Sequence, residues 1–275
     1  MTASVVYETG GRIARITLNR PERLNAIDQA MPFALRDAVE RANADDTVHV
    51  ILLAGAGRAF CAGYDLDVYA QQPGPNAYSQ LMPWDPTVDY QRMSVNTECF
   101  MSLWRGLKPV ICKIHGYALA GGSDIALCAD LVIMAEDARI GYPPGRLWGC
   151  PTTAMWLYRV GAERAKRLLL TGDTIDGAEA ARIGLVSAAV PAKQLDAAAE
   201  ALVTRLASVP KNQLIMQKLV VNQAYDNMGL STTQMLATVF DGIARHTPEG
   251  VEFKARAEEV GWREAVRRRD SGEPL

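Results

Sequence analysis

The chain has 275 residues, of which 49% are hydrophobic, and this is enough for one large domain or a core with an appended subdomain. Its 29 basic and 31 acidic residues leave a net charge of −2, which argues against a broad basic surface for nucleic acid or an anionic membrane. The 5 cysteines are an odd number without a CxxC pair, a pattern typical of buried thiols in a reducing compartment.

The first half of the chain alternates strands and helices. Apolar alternation predicts strands over residues 5–8 and 13–18, with a glycine turn between them, and VHVILL over 48–53 indicates a buried strand. Asp28 is predicted to cap a helix that runs to about residue 42. Residues 70–89 are rich in proline, glutamine and asparagine, which predicts a long loop or lid rather than a packed element.

Helical spacing resumes over residues 90–107, and buried strands are predicted over 110–114 and 131–135 with a short helix over 125–128 between them. Residues 152–170 predict a long helix that Gly161 interrupts, and the chain beyond Pro191 has a helical pattern to its end. This order predicts an α/β core over residues 1–192, in which loosely repeated strand–strand–helix units would suit a coiled stack, and a helical subdomain over 193–275.

Two glycine turns each follow a buried strand, CAGY at 61–64 and AGG at 120–122. If both aim a backbone N–H at one point, they form an oxyanion hole, in which each donor contributes about 3–4 kcal/mol to transition-state stabilisation. The positive end of the helix after Gly122 would add to this field. The alternative is structural: the glycines only permit turns, and Ser123 and Asp124 cap a helix with an acidic first turn.

Other chemistries find little support. No strand is followed by GxGxxG with an acidic residue about 20 positions later, as a dinucleotide site would require, and no GxSxG marks a serine hydrolase. The 3 histidines do not stand at metal-ligand spacing, so no metal is expected. The N-terminus lacks the apolar run of a signal peptide, and no segment reaches the ~20 apolar residues of a membrane span, so we expect a cytoplasmic protein.

Four segments carry a resemblance to a known family. They are ITLNRPERLNAI, VILLAGAGRAFCAGYDL, KPVICKIHGYALAGGSDIALCADLVIMAEDARIGYPP and TGDTIDGAEAARIGLVSAAVP, and they follow one another over residues 5–192. In this order they resemble the enoyl-CoA hydratase/isomerase family, also called crotonases, and TPEGVEFKARAEE adds a weaker likeness near the C-terminus. The resemblance implies a spiral of ββα units followed by helices that build homotrimers, often paired as hexamers. It also implies a lyase or isomerase of fatty acid metabolism.

The resemblance also implies a set of site residues. The backbone N–H groups of Tyr64 and Gly121 would form the oxyanion hole and hold a thioester carbonyl oxygen. Coenzyme A is part of the substrate in this family, so no separate cofactor is expected. The substrate contacts implied by the resemblance are Arg23, Ala62, Tyr64, Asp65, Leu66, Gly121 and Tyr142.

The carboxylates decide the reaction. Hydratases that the chain resembles use two glutamates, and here the first position is Asp124, as in dienoyl-CoA isomerases, while the second is Pro144. Because proline cannot exchange a proton, half of the hydratase pair is missing. Asp65, Asp67 and Glu98 are the nearest candidates for a replacement, although an ordinary loop or surface role explains each of them better.

Several functions remain open at this point. The first is an acyl-CoA-transforming enzyme that resembles enoyl-CoA hydratase and stabilises a thioester enolate. The alternatives are an enoyl-CoA isomerase that uses Asp124 alone, a CoA-thioester hydrolase that uses the same hole for a tetrahedral oxyanion, and an acyl-CoA-binding member without activity.

Overall fold

The computed structural model describes residues 3–76 and 79–274 of the chain. The strands are β1 (Val5–Gly10), β2 (Ile13–Leu18), β3 (Val50–Gly55), β4 (Val110–Ile114), β5 (Tyr117–Leu119), β6 (Leu131–Ala135), β7 (Arg139–Gly141), β8 (Thr174–Asp176) and β9 (Ala188–Val190). The helices are α1 (Met31–Ala44), α2 (Pro86–Arg105), α3 (Gly121–Leu127), α4 (Met155–Thr171), α5 (Gly177–Arg182), α6 (Leu195–Ala207), α7 (Lys211–Asn227), α8 (Leu230–His246), α9 (Pro248–Val260) and α10 (Trp262–Ser271).

The main sheet has six strands in the order β1-β2-β3-β4-β6-β9. β1 and β2 form an antiparallel hairpin, whereas every later neighbour is parallel. The continuous apolar runs of β3 and β4 fit this arrangement, because a parallel strand in a sheet that is covered on both faces buries nearly all of its side chains. Helix α6 covers one of these faces, packing Ala199 and Val203 against Val50, Leu52 and Ile111.

β5, β7 and β8 form a second, smaller sheet in the order β5-β7-β8. β5 and β7 are parallel, with Ala118 opposite Ile140, and β8 is antiparallel to β7. Cys61 forms an isolated bridge to Ala118, so the loop after β3 runs beside β5. This small sheet therefore brings the two glycine turns of the sequence to one place.

Most predicted elements are confirmed, with differences at their ends. Asp28 does receive N–H bonds, at 3.1 Å from Ala30 and 2.9 Å from Met31, but α1 begins only at Met31, so Asp28 lies before the cap position Ala30. Gly161 has φ 75° and ψ 169°, which divides α4 into two helical pieces as expected. All 5 cysteines are free and only Cys150 is partly exposed, in agreement with their prediction as buried thiols.

The predicted lid over residues 70–89 is only partly a loop. Its first residues complete a π-helical turn (Asp67–Gln71) and its last residues belong to α2, while Ala77 and Tyr78 lie outside the described residues. The loop between them is attached to the C-terminal helices. Lys254 Nζ donates to Gln72 O at 2.7 Å, and the Trp84 ring stacks on His246 with centroids 4.8 Å apart.

Five helices follow residue 194, as predicted for the C-terminal part of the chain. α6 packs on the main sheet, whereas α8, α9 and α10 return toward α2, the π-helical turn and the 3-10 turn Pro143–Arg146. Over residues 3–76 and 79–274, no helix combines the length and apolar character that crossing a membrane requires.

Candidate active site

The two glycine turns lie against each other. Cys61 N donates to Tyr117 O at 2.9 Å, and Leu119 N donates to Cys61 O at 3.0 Å. A Cβ on Gly63 would lie 3.0 Å from Ala120 Cβ, and one on Gly122 would lie 2.3 Å from Cys61 O. The glycines are therefore required for close approach of two backbones, beyond their use in turning the chain.

Helix α3 begins at this contact. Ala120, directly before it, has φ 50° and ψ −126°, a conformation that L-residues rarely adopt, and its N–H donates to Gly141 O at 3.0 Å. Gly121 supplies the first N–H of α3, and the first N–H groups of a helix have no intrahelical acceptor. A Cβ on Gly121 would lie 2.9 Å from Cε2 of Tyr64, so the Tyr64 ring lies directly over this residue.

Asp124 does not cap α3. The cap position is Ala120 without a side-chain hydrogen bond, and the Ser123 hydroxyl instead donates to Ala120 O at 2.7 Å. The Asp124 carboxylate instead accepts a 2.6 Å hydrogen bond from the Thr153 hydroxyl. The predicted side-chain capping by Ser123 and Asp124 is therefore wrong, whereas the predicted acidic first turn is confirmed, since Asp124 lies in the first turn of α3.

The Asp124 side chain is buried, with 2% of the residue exposed, and it lines a cavity. Burial raises the pKa of Asp124 to about 7, the Thr153 hydrogen bond lowers this pKa, and the charge of Asp241 raises it. A carboxyl group with this pKa is present in both protonation states near neutral pH, as a proton-transfer group requires.

The cavity has a volume of about 330 Å³ and is lined mainly by apolar side chains. Two parts of the chain build it. The core wall consists of residues that precede α6, namely Ala62, Tyr64, Leu66, Tyr69, Met93, Leu119, Ala120, Asp124, Tyr142, Pro143, Pro144, Trp148 and Thr152. The helical wall consists of residues from α8, α9 and α10, namely Asp241, Arg245, Phe253, Trp262, Val266, Arg269 and Asp270.

The helical wall contains an ion pair that the sequence did not reveal. Asp241 and Arg245 of α8 are both buried, with 4% and 8% of each residue exposed, and their side chains form a salt bridge. Cys150 N donates to Asp241 Oδ1 at 2.9 Å, and Cys150 O accepts from the Tyr142 hydroxyl at 2.7 Å. These two hydrogen bonds of Cys150 attach the loop after the 3-10 turn to both cavity walls.

The sequence pattern of α8 did not indicate this pair. The buried positions of α8 follow helical spacing, and most of those after Leu230 are polar. The polar ones are Gln234, Thr238, Asp241 and Arg245. The apolar residues of the same helix, Met235, Leu236 and Phe240, are exposed. Because burial of the apolar stripe is the usual expectation for a helix, the polar stripe gave no sign of facing inward.

The predicted substrate residues fall into two groups. Ala62, Tyr64, Leu66 and Tyr142 line the cavity, and Gly121 adjoins its Ala120. Asp65 instead accepts from Arg20 at 3.0 Å and Arg23 at 2.9 Å, outside the cavity lining. The roles predicted for Arg23 and Asp65 toward a substrate stay predictions.

The predicted replacements for the missing second carboxylate lie elsewhere. Asp67 is engaged by Arg23 and by the Trp262 indole N–H, which lowers the pKa of Asp67, and Glu98 is exposed. Pro144, by contrast, does line the cavity. Two carboxylates from the far end of the chain also line the cavity, Asp241, which is buried, and Asp270, which is exposed.

Comparison with known proteins gives concordant matches. The family model described as Enoyl-CoA hydratase/isomerase matches residues 8–253. A crystal structure of an enoyl-CoA hydratase from Mycobacterium smegmatis is 54% identical, with a TM-score of 0.92 and coverage of 98% of this chain and 94% of that one.

Two curated relatives are more distant. One is a Mycobacterium tuberculosis protein that carries the name enoyl-CoA hydratase EchA13. The chain is 35% identical to it over 249 residues, with coverage of 82% of this chain and 75% of the relative. It is 33% identical over 229 residues to the 1,2-epoxyphenylacetyl-CoA isomerase of Escherichia coli K12, with coverage of 78% of this chain and 80% of the relative. The family match extends from β1 into α9 and so includes parts of both cavity walls.

Proposed function

Because the chain belongs to the enoyl-CoA hydratase/isomerase family, we propose that it processes enoyl-CoA thioesters through an enolate, with Asp124 as the group that moves the proton. One observation carries this proposal: Asp124 is a buried carboxylate with a pKa of about 7 on the wall of an apolar cavity, next to the paired glycine turns. The resemblance in the sequence is confirmed at the level of the family.

The thioester oxygen needs donors where its negative charge develops. We place it on the backbone N–H groups of Tyr64 and Gly121, since the contact between Gly63 and Ala120 brings their two turns together. Each such donor contributes about 3–4 kcal/mol in a site that excludes water. The apolar lining of the cavity supports this exclusion.

Asp124 then serves as base or acid according to its protonation. Its ionised form removes a proton from the carbon next to the thioester, and its neutral form returns one. The Thr153 hydroxyl donates to Oδ1, and the Thr153 backbone also interacts with this carboxylate, so Thr153 holds Asp124 in position. A single carboxylate of this kind suffices to shift a double bond between the 2- and 3-positions, because it can take a proton from one carbon and deliver it to another.

Hydration is the second candidate reaction. The relatives named above include both enoyl-CoA hydratases and an isomerase, so the family match is compatible with either reaction. The presence of Asp241 in the same cavity is the specific observation that favours addition of water.

The test uses Asp124→Asn with a matched control. Asp130→Asn changes another buried carboxylate, which accepts from Val110 N at 2.7 Å and from Lys218 Nζ at 2.8 Å outside the cavity lining. Wild type and both variants are incubated with short- and medium-chain 2-enoyl-CoA and 3-enoyl-CoA, and turnover is measured together with exchange of the α-protons of saturated acyl-CoA in deuterated water.

Asp124→Asn is expected to lose about 100-fold or more in turnover and in exchange, while Asp130→Asn keeps both. Equal rates in wild type and Asp124→Asn would refute the role of this carboxylate. Release of free CoA thiol would instead identify a hydrolase. Binding of acyl-CoA by calorimetry without any turnover would identify a binding protein.

We further propose self-association as a homotrimer or hexamer. Exposed apolar side chains on α7 and α8 support it: Met216, Leu219, Val220, Val221, Met235, Leu236 and Phe240. Apolar surface of this kind on a globular protein usually marks an interface. Light scattering on the purified protein measures the state directly, and a monomer at assay concentration would contradict the proposal.

The cellular setting follows from the thiols. We propose a reducing compartment such as the cytoplasm, because all 5 cysteines are free. Fractionation of the source cells tests this.

A further inference from the structure

A second buried carboxylate, that of Asp241, lines the cavity together with Asp124. A Cβ built on Gly149 would lie 3.2 Å from Asp241 Oδ1, 3.2 Å from Pro144 Cβ and 3.5 Å from the Tyr142 hydroxyl oxygen. The three groups therefore surround one small volume beside the 3-10 turn. The carboxylate of α8 thus lies close to a proline that contributes no proton chemistry of its own.

The Asp241 carboxylate is held in place by two hydrogen-bond donors, one of them cationic. Arg245 forms the salt bridge, and Cys150 N donates to Oδ1 at 2.9 Å. Arg245 donates to Asp241 Oδ2, and Cys150 N donates to Oδ1, so both oxygens of the carboxylate accept a hydrogen bond. A carboxylate has about four acceptor sites, so these two partners leave room for a water or a substrate hydroxyl.

The charged and titratable surroundings of Asp241 come from several elements. Asp124 of α3 and Tyr142 of the 3-10 turn are charge-coupled to it, and burial together with these two acids raises the pKa of Tyr142. Asp89 of α2 packs against the next residue, where a Cβ on Gly242 would lie 3.5 Å from Asp89 Oδ2. Arg245 interacts electrostatically with both aspartates of this region, Asp241 and Asp89.

We propose that Asp241 is the second catalytic carboxylate, which orients and deprotonates the water that adds to the β-carbon of an enoyl-CoA. The proposal rests on the function proposed above, in which Asp124 handles the α-proton. It assigns the missing half of a two-acid site to α8, whereas the sequence segment around Pro144 lacks an acid altogether.

The atoms of the step balance with these two groups. The water oxygen forms a bond to the β-carbon while Asp241 takes the proton that the water loses. The electrons of the double bond move to the thioester oxygen as an enolate, and neutral Asp124 gives its proton to the α-carbon as the enolate collapses. One hydrogen of the water stays in the new hydroxyl group. The other is the proton on Asp241, and an equivalent proton returns to Asp124 through solvent, which restores both carboxyl groups.

The two carboxylates should therefore differ in which reactions need them. Exchange of α-protons in a saturated acyl-CoA requires the enolate and Asp124 but no added water. Hydration of a 2-enoyl-CoA requires both carboxylates. A purely structural ion pair on α8 would lower the two rates together when it is disrupted.

The experiment compares Asp241→Asn with wild type, Asp124→Asn and the matched control Asp130→Asn. Hydration is followed by the loss of absorbance of the conjugated thioester, and exchange is followed by NMR in deuterated water. We expect the ratio of hydration to exchange to fall about 100-fold in Asp241→Asn and to stay at the wild-type value in Asp130→Asn. Asp124→Asn loses both reactions.

Asp241→Glu serves as a control for a folding defect. It keeps the negative charge that pairs with Arg245 but moves the carboxylate by one methylene. It should hydrate more slowly with an unchanged KM. A parallel fall of both rates in Asp241→Asn, or a wild-type ratio in a folded Asp241→Glu, overturns the role of Asp241 and leaves that of Asp124 standing. Wild type that performs neither reaction on any chain length overturns both proposals.

Discussion

The core wall and the helical wall of the cavity each contribute one buried aspartate, but they hold it differently. Asp124 on the core wall has a neutral partner, the Thr153 hydroxyl, and its pKa rises to about 7. Asp241 on the helical wall has a cationic partner, Arg245, and a backbone N–H. One cavity therefore contains a carboxylate that changes its charge near neutral pH and another that is compensated by a guanidinium.

This difference shows how two identical side chains in one cavity come to have different electrostatic surroundings. Burial without a countercharge raises the pKa of Asp124, whereas Asp241 is paired with a guanidinium. The comparison can be tested by removing the partner of each carboxylate in turn.

The largest effect is expected from Arg245→Leu. Removal of one member of a buried ion pair leaves a buried, uncompensated charge and costs about 3–5 kcal/mol. Denaturant unfolding should show this loss, whereas Arg15→Leu, which breaks the exposed pair of Arg15 with Glu200, should cost about 1 kcal/mol or less. Similar losses in both variants would mean that the helical wall does not depend on its ion pair.

The next effect concerns the stability of the core wall as a function of pH. The folded-state pKa of Asp124 lies above its ordinary value, so its contribution to stability is fully present below that ordinary value and is lost as pH rises through about 7. Each pKa unit corresponds to about 1.4 kcal/mol, so the loss amounts to several kcal/mol. Asp124→Asn should lack this dependence, and identical stability profiles for it and wild type would contradict the burial effect.

The fold was largely predictable from the sequence, and the reason is local. Strands such as β2 and β4 have patterns that only one type of element satisfies, and glycine turns mark where strands end. The ends of α1 and α2 were less predictable. Asp28 receives N–H bonds ahead of the helix, and the polar segment after residue 70 is attached to α8 and α9 by distant contacts.

The candidate site was predictable only on its core wall. Asp124, Tyr64 and Gly121 stand in short motifs whose order along the chain is informative. Asp241 and Arg245 belong to no such motif, and they face the cavity only because α8 returns to the core with its polar stripe inward. That orientation depends on tertiary packing, which a single sequence does not encode in a readable pattern.

A smaller effect is expected from Thr153→Val, which preserves shape but removes the 2.6 Å hydrogen bond to Asp124. Because this bond lowers the pKa of Asp124, its loss should raise that pKa. The midpoint of the pH profile for α-proton exchange should move upward accordingly. Thr238→Val, which changes a buried threonine bonded within α8, should leave the midpoint in place, and an equal movement in both variants would be incompatible with the proposed contact.

The smallest effect concerns the attachment of α10. The Trp262 indole N–H donates to Asp67 and thereby joins the helical wall to the π-helical turn. Trp262→Phe removes this hydrogen bond but keeps most of the ring, so a loss of about 1 kcal/mol in stability and a few-fold rise in KM are expected. Unchanged kcat would distinguish this anchoring role from a chemical one, and a large fall in kcat would refute it.

The central claim is that Asp124 transfers the α-proton, and its pH dependence is the most direct test. Exchange of α-protons needs the ionised carboxylate, so its rate should rise with pH through about 7. Hydration needs the neutral acid, so its rate should fall above the same pH. We predict that the exchange rate and the hydration rate change in opposite directions with pH about one shared midpoint, and that Asp124→Asn shows neither change. Two rates that change in the same direction with pH, or pH profiles that are unchanged in Asp124→Asn, would contradict the role of Asp124.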